Sequence, residues 1–371
     1  MTDPFASNHG GTIRTRALIR ILQAANFEVR VISPIKAAGE AKSAQLGSPA
    51  LGEAERRYAR FGPLANSVAN LKRTYLPMPT RLGASSQYLR SEVVAAGSSL
   101  ILVSVIPHVQ YANLLDNFVW QDFMDLWGEF GRREAQSRSG FARLTAGSQA
   151  KLIQRRERAA AKSADLVTVT GWRDWEILSS EVDAIWLPTP LPDSDFCYVE
   201  KRESADKTAG FIGNFEYWPN RDALDVLLTH WLPELRRLGW KVVVAGRGLE
   251  KTGSPPDGVE YLGEVAHTDE FYGRIAVSLA PIRLGGGMKV KVLESLSKGV
   301  PVIGTKFALE GFSPEVQQMC ITAEMTGSNL ASISELTSVD PYASSLDPYR
   351  LSYAIRTMGD ALRQHDADVS L

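Results

Sequence analysis

Short apolar runs alternate along the chain with longer stretches in which apolar residues recur every three or four positions. The runs are rich in Val, Ile and Leu, as in 99–106, and are typical of buried strands. The longer stretches, such as 12–25, predict amphipathic helices. Strand and helix follow one another over most of the sequence, and this order favours parallel sheets that are covered by helices on both faces.

The pattern predicts a first set of elements before residue 188 and a second set after residue 208. The first set has strands at 27–32, 99–106, 112–119, 164–170 and 184–187, and helices at 12–25, 56–71, 87–95, 123–161 and 173–180. The second set has strands at 209–213, 240–245, 261–265, 276–282 and 300–304, and helices at 221–238, 269–275 and 290–297. The proline-rich and polar segment between the two sets is typical of an interdomain linker.

A chain of 371 residues is long enough for two cores. We therefore predict an N-terminal domain over 1–192, in which no first strand is recognisable, and a C-terminal domain over 205–345. A helix within 346–371 is expected to pack back on the N-terminal domain.

Composition excludes several classes of protein. The formal net charge of −1 gives no reason to expect nucleic acid as a partner. No apolar run is long enough to span a bilayer, and the N-terminus has no secretory pattern. Two cysteines, Cys197 and Cys320, are too few for a disulfide framework and are interpreted as buried thiols. We expect a cytoplasmic protein, and a peripheral contact with the inner membrane face stays open.

The segment 281–296 carries the clearest chemistry. Three glycines, 285–287, follow a predicted buried strand and precede a predicted helix. Glycine lets backbone approach a ligand closely, and a helix start offers free N–H groups and partial positive charge. Lys289 and Lys291 add positive charge at the same place, so the segment predicts a phosphate site, although it is not a P-loop. Glu294 lies one turn beyond Lys291, where it either accepts ribose hydroxyls or forms a surface ion pair with that lysine.

The segment from Pro281 to Gly304 resembles the donor-site signature of retaining family-4 glycosyltransferases of the GT-B fold: a proline-ended strand, a glycine-rich loop, Lys-x-x-Glu on a helix, then Gly-x-Pro-Val and a glycine. Other segments agree with the family pattern, namely 210–214 with 218–220, 242–248, 259–265 and 308–311. The resemblance is strong over about 210–315. It is weak in the N-terminal half, where Gly10-Gly11-Thr12 leads into a helix.

The resemblance implies an α/β protein with two Rossmann-like domains whose parallel sheets face a central cleft. The implied activity is transfer of a hexosyl unit from a UDP- or GDP-sugar to a hydroxyl, with retention and with no required metal or other cofactor. The acceptor is a glycan, a lipid-linked molecule or a small molecule, as in polysaccharide biosynthesis. Two alternatives are a nucleotide-sugar-binding protein without turnover and a GT-B epimerase, which would need carboxylate and histidine groups that we do not find.

The family pattern also implies roles for individual residues. Lys291 would hold the diphosphate, together with Lys289 and backbone N–H groups, and Glu294 would hold the ribose. The backbone groups lie in the glycine loop and in the other domain, at Gly286, Gly287, Met288, Gly10 and Gly11. Gly246 and Val265 lie in segments that pass near the base.

Two further polar residues have competing interpretations. Asn214 would lie at the cleft, or it is a turn residue that follows a strand. Asp116 would be an acidic group on the acceptor side, with a catalytic role, or it is a residue that caps a strand.

The sequence departs from the family pattern in two places. Many members carry a glutamate that reaches the donor sugar at the position of Gly286, so backbone N–H groups are expected to serve here. Only nine residues precede Gly10, and they contain no apolar run; we expect the natural start to lie upstream or the first sheet to pair differently.

The basic run 151–158 either contacts anionic lipid or is a solvated helix face, and the solvated face is the commoner case.

Overall fold

The computed structural model describes most of the chain. The described residues are 10–31, 94, 97, 99–104, 117–136, 139–202 and 205–369, and the side chains beyond 364 are not described. Within these ranges, no helix combines the length and the apolar composition that crossing a bilayer requires.

Helices occupy much of the described chain. In chain order they are α1 (Gly10–Ala24), α2 (Trp127–Gln136), α3 (Gly140–Ser163), α4 (Trp172–Ser179), α5 (Trp218–Val226), α6 (Leu232–Arg237), α7 (Thr268–Tyr272), α8 (Val290–Ser297), α9 (Lys306–Leu309), α10 (Pro314–Gln318) and α11 (Leu351–Val369). The predicted helix 221–238 is therefore divided, because a π-helical segment, Leu227–Trp231, lies between α5 and α6. Pro233 lies in the first turn of α6, where its missing N–H costs no helical hydrogen bond.

Strands form two parallel sheets. They are β1 (Leu100–Val103), β2 (Phe118–Phe123), β3 (Leu166–Val169), β4 (Ile185–Trp186), β5 (Thr208–Ile212), β6 (Lys241–Ala245), β7 (Val259–Gly263), β8 (Val277–Ala280), β9 (Val302–Gly304) and β10 (Ile321–Thr322). The first sheet has the order β1-β2-β3-β4, and the second has the order β10-β9-β8-β5-β6-β7. Every pairing is parallel, as the alternation of strands and helices predicts.

The chain separates into two compact units, each with its own sheet. The first unit contains 26–170 and 174–186, and its core packs α3 and α4 on β2 and β3 through Phe123, Ala160 and Val169. The second unit contains 187–371, the segment 171–173 and also 8–25. Here Phe271, Tyr272 and neighbouring apolar residues are buried against β6.

Helix α1 lies in the second unit, although the predicted boundary assigns it to the N-terminal domain. It packs against α11. The buried guanidinium of Arg14 donates to the carbonyl oxygen of Leu187 at 2.7 Å, within the same unit. This hydrogen bond and the packing on α11 attach the helix to residues far away in sequence.

Several sequence predictions need correction. Residues 27–31 of the predicted strand 27–32 form no regular element. Residues 112–116 of the strand expected at 112–119 lie outside the described residues, and a strand, β2, runs over Phe118–Phe123, beyond the predicted end. The run 27–31 alternates strictly between partly buried and exposed positions, and none of its residues is fully buried. Cys197 and Cys320 are free thiols as expected, but each is half-buried. The predicted helix 56–71, most of the predicted helix 87–95, residues 1–9 and Asp116 lie outside the described residues.

A buried carboxylate joins α2 to α3 in the first unit. Glu157 is only 3% exposed and accepts the backbone N–H of Gly128 at 3.2 Å and 3.3 Å, through its two oxygens. Burial raises the pKa of Glu157 to about 7, and the nearby Asp174 and Glu129 carboxylates add to the shift, against the lowering effect of the backbone hydrogen bonds. The folded protein therefore holds this proton over a pH range in which the unfolded chain releases it.

We expect the Glu157→Gln substitution to change the pH dependence of stability. The native pKa is raised above 4.5, so this group's contribution is fully present below pH 4.5 and is lost as pH rises towards about 7. The amide of the variant never ionises. The free energy of unfolding of Glu157→Gln, relative to that of the wild type, should therefore rise by up to about 3 kcal/mol between about pH 5 and pH 8. Chemical unfolding at both pH values measures this difference. Glu176→Gln removes an exposed glutamate of α4 and serves as the control; if Glu157→Gln only follows the wild-type and control profiles, the prediction is wrong.

Candidate functional site

The site forms where the strand order of the second sheet reverses. Strand β5 pairs with β6 on one side and with β8 on the other. The chain continues from β5 to β6 and β7 towards one edge of the sheet, and from β8 to β9 and β10 towards the other edge. Ligands of open α/β sheets bind in the crevice that such a reversal leaves at the carboxyl ends of the strands. The loop 213–217 follows β5, and the glycine-rich loop follows β8, so both predicted binding segments flank this position.

The glycine-rich loop leads directly into a helix start. Gly285 and Gly287 have φ values of 105° and 54°, in the left-handed region that favours glycine. Helix α8 begins at Val290, and its first-turn N–H groups and its positive dipole end lie beside the loop. Gly10 is close by, because a Cβ built on it would lie 3.4 Å from Cγ2 of Val290. The starts of α1 and α8 therefore converge.

Lys291 is held by one group from β5 and one from the first turn of α5. Its ammonium donates to Oδ1 of Asn220 at 2.9 Å and lies 4.6 Å from the centre of the Phe211 ring. A Cβ on Gly213 would lie 3.0 Å from Nζ and 3.1 Å from Cγ of Asn220, so a larger residue would crowd the ammonium and its partner. Burial lowers the pKa of Lys291, while the negative charge of Glu294 opposes the shift.

Glu294 lies one turn further along α8, beside the phenol of Tyr272. Burial raises the pKa of Glu294, and the positive charge of Lys291 opposes the shift. The pKa of Tyr272 stands well above its ordinary value, first because the side chain is fully buried and then because Glu294 is near. Tyr272 also donates to the carbonyl oxygen of Lys291 at 3.2 Å, so it fixes both residues of the Lys-x-x-Glu pair.

Lys289 stabilises the loop itself in this structure. Its ammonium donates to the carbonyl oxygens of Gly286 at 2.6 Å and Gly287 at 2.8 Å, and it lies 4.8 Å from the centre of the Phe307 ring. Met288, the residue between, is buried. The loop is thus closed around one cation, and Lys291 is the lysine that faces the end of β5.

Gly246 packs against the strand end that supports the site. A Cβ there would lie 1.8 Å from the carbonyl oxygen of Gly213, and its φ of 136° already excludes most side chains. Val265 packs against the core beside β6. Both are placed by the second sheet next to the loop after β5.

Asn214 has the turn role that the sequence left as an alternative. Its Oδ1 accepts the N–H of Glu216 at 2.9 Å, and its carbonyl oxygen accepts Nδ2 of Asn220 at 2.7 Å. Asn214 therefore shapes the loop that carries Asn220. Gly11, the other predicted glycine, lies in the first turn of α1.

Sequence reasoning missed Asn220, Tyr272 and Phe211 as parts of the site. Asn220 does belong to a segment that resembles the family pattern, but its contact with Lys291 spans 71 positions and no sequence period indicates it. Asp116, the predicted acceptor-side acid, lies outside the described residues. In the part of the chain that the structure describes, no group of three or more His, Cys, Asp or Glu side chains has the arrangement of a metal site.

The assembled groups suit a diphosphate that is linked to a ribose. One ammonium, two converging helix starts and a loop of glycines concentrate positive potential at one point. A carboxylate one helical turn away supplies the acceptor that vicinal hydroxyls need.

Comparisons with known proteins show which folds the chain resembles. Residues 206–334 match the model of the family described as glycosyl transferases group 1. A sucrose-phosphate synthase from Thermosynechococcus elongatus is similar in structure, with a TM-score of 0.56, 14% identity, and coverage of 76% of this chain and 77% of that one. HepE of Anabaena, in complex with UDP, has a TM-score of 0.50, 11% identity, and coverage of 77% and 84%.

A glycosyltransferase from Rickettsia africae is also similar, with a TM-score of 0.50, 7% identity, and coverage of 75% of this chain and 80% of that one. A search of curated proteins returned no match. The likenesses show the fold: the two parallel sheets are those of the GT-B fold of glycosyltransferases, and the family match lies within the second unit.

We expect Asn220→Ala to weaken binding of UDP or GDP by about 0.5–1.5 kcal/mol, because Lys291 loses the acceptor that holds it. The loss of that acceptor also lowers the pKa of Lys291 further, so affinity should begin to fall at a lower pH than in the wild type. Calorimetric titration over a range of pH measures both effects.

Asn214→Ala is the matched control, since it removes a hydrogen bond from the same turn without touching Lys291. Equal losses in both variants would assign the effect to the turn and contradict the positioning role of Asn220.

Proposed function

We propose that the protein is a retaining glycosyltransferase that moves a hexosyl unit from a UDP- or GDP-sugar to an acceptor hydroxyl. The observation that carries the proposal is Lys291, held at the junction of the glycine loop and α8 beside Glu294. The family match over 206–334 supports it. So do the structures of HepE in complex with UDP, with UDP-glucose, and with UDP and glucose.

In this proposal the chain acts mainly on the leaving group. When the bond between the anomeric carbon and the diphosphate oxygen breaks, negative charge grows on that oxygen. Lys291 and the starts of α8 and α1 are already oriented towards this position, so they stabilise the charge in the transition state without reorganising. The same groups would perform the task that a metal ion performs in other enzymes, so we propose that no metal is required.

The acceptor oxygen forms the new bond on the face that the diphosphate leaves, which retains configuration. Its proton passes to the departing phosphate oxygen, so no separate side-chain base is needed. Lys289 keeps the loop carbonyls of Gly286 and Gly287 turned inward, which leaves backbone N–H groups for the sugar in place of a glutamate side chain. The acid at Asp116 remains a prediction for the acceptor side.

Glu294 is proposed to hold the ribose through both hydroxyls. Tyr272 lies beside the carboxylate, and the positive charge of Lys291 opposes the effect of burial on the pKa of Glu294. The two residues therefore depend on each other, because the charge of each favours the charged form of the other.

We propose the cytoplasm as the location, as the two free thiols suggest. The acceptor is a glycan, a lipid-linked molecule or a small molecule.

Release of the nucleoside diphosphate from a panel of UDP- and GDP-sugars, with and without added acceptors, tests the proposed function. We expect release with at least one donor, undiminished by EDTA, and a glycosylated acceptor of retained configuration. Lys291→Ala should weaken nucleotide binding by about 1.5–3 kcal/mol, the scale of a lost charge-assisted contact. Lys241→Ala, an exposed cation at the opposite end of the sheet, is the control.

Nucleotide binding without release under any condition would indicate a binding protein. An altered donor sugar that stays attached to its nucleotide would indicate an epimerase. Either result overturns the transferase proposal, and unchanged nucleotide affinity in Lys291→Ala overturns the site.

We expect Glu294→Gln to impair donor binding more than folding. The carboxylate can accept both ribose hydroxyls, whereas the amide has a single oxygen that accepts. A donor that lacks one ribose hydroxyl should therefore bind worse than the normal donor in the wild type, and equally well in the variant. Donor KM for both compounds, with melting temperature as the folding measure, checks this; an unchanged KM in Glu294→Gln would contradict the ribose role.

A further inference from the structure

Helix α3 of the first unit presents one exposed face that the proposed function does not use. Outward-facing residues recur along it in alternating steps of three and four, which places them on a single side of the helix. We call this face the basic stripe, and its defining residues are Phe141, Leu144, Lys151, Arg155, Arg158 and Lys162. The opposite face carries small and buried residues, such as Ala146, Ala150 and Ala160, that pack on the unit.

Two large apolar side chains at the start of the stripe are in contact with water. Phe141 is 81% exposed and Leu144 is 71% exposed, although the core of this unit buries similar residues completely. A solvated helix face normally carries polar residues at such positions. These two side chains, one turn apart, form an apolar surface that the described residues of the unit leave exposed, and this surface suits an apolar occupant.

Four cations continue the same face over the rest of the helix. The described helix 140–163 contains a single acidic residue, Glu157, and this residue is buried on the other side. Arg158 and Lys162 lie 2.8 Å and 3.9 Å from the carboxylate of Glu181. Lys151 and Arg155 have no ion pair among the described residues, and like charges four positions apart repel each other. The stripe is thus complementary to an extended anionic surface.

An aromatic and an aliphatic side chain at one end of a cationic helix face fit the interface of an anionic bilayer. Lysine and arginine lie at the level of the charged headgroups, and apolar side chains insert at the boundary with the acyl chains. The helix has 24 residues and is about 36 Å long, so all four cations can lie along one flat surface. A nucleic acid would use the cations but gives Leu144 no partner.

We propose that the basic stripe of α3 binds the first unit peripherally to membranes that contain anionic lipid. The stripe is the only part of the protein that the inference uses, so it stands independently of the proposed glycosyl transfer.

Sedimentation of the full chain with vesicles tests the inference, without donor or acceptor present. The vesicles are phosphatidylcholine alone or phosphatidylcholine with about 30% phosphatidylglycerol. We expect binding only to the anionic vesicles, and binding that weakens as salt rises. Lys151→Ala combined with Arg155→Ala should lower the partition coefficient by at least about tenfold, and so should Phe141→Ser combined with Leu144→Ser.

Arg237→Ala combined with Lys241→Ala is the matched control, because it removes two exposed cations of the second unit and changes the net charge equally. Circular dichroism and melting temperature establish that each variant is folded. The inference is overturned if the chain does not bind anionic vesicles, if it binds neutral ones equally well, or if the control variant loses as much as the stripe variants. Binding to single-stranded RNA in place of vesicles would also overturn it.

Discussion

The candidate site depends on holding an ammonium and a carboxylate together on one turn of α8, where burial favours the neutral form of each and the neighbouring charge opposes it. Burial alone would lower the pKa of Lys291 and raise that of Glu294, and each opposes the shift of the other. Asn220 accepts a hydrogen bond from the Lys291 ammonium, which also lies over the Phe211 ring, and Tyr272 lies beside the Glu294 carboxylate. A charge that is held in this way is available to an incoming anion at little cost in reorganisation.

The close packing around this pair of side chains explains why glycines cluster in the surrounding backbone. Gly213 leaves room for the ammonium, and Gly246 lets β6 approach the carbonyl oxygen of Gly213. Gly287 and Gly311 meet in the same manner, since a Cβ on Gly311 would lie 3.1 Å from the carbonyl oxygen of Gly287. Each of these glycines serves a close approach between segments that are distant in sequence, and together they form the floor of the site.

The sequence predicted what depends on local order and missed what depends on distant contacts. Alternation of strands and helices was enough to predict two parallel sheets, and the glycine loop before α8 was recognisable from its neighbours alone. The contact of Asn220 with Lys291 follows from the pairing of β5 with β8, which no period along the chain encodes. The alternation of 27–31 has the period of a half-buried strand, yet these residues form no regular element, so the period alone was not enough to predict one.

The local sequence predicts that helix α1 forms, whereas its position depends on contacts that are distant in sequence. Its amphipathic pattern predicts a helix, yet nothing local indicates that it joins the second unit through Arg14 and Leu187. Once attached there, its first residue lies beside Val290, and a second helix start adds its N–H groups to those of α8. Partial charges at helix ends fall off within about one turn, so this addition matters only because the two starts converge. The proposed anion site therefore combines residues that are distant in sequence: helix α11 packs against α1, and Gly10 of α1 lies next to Val290, which follows the glycine loop.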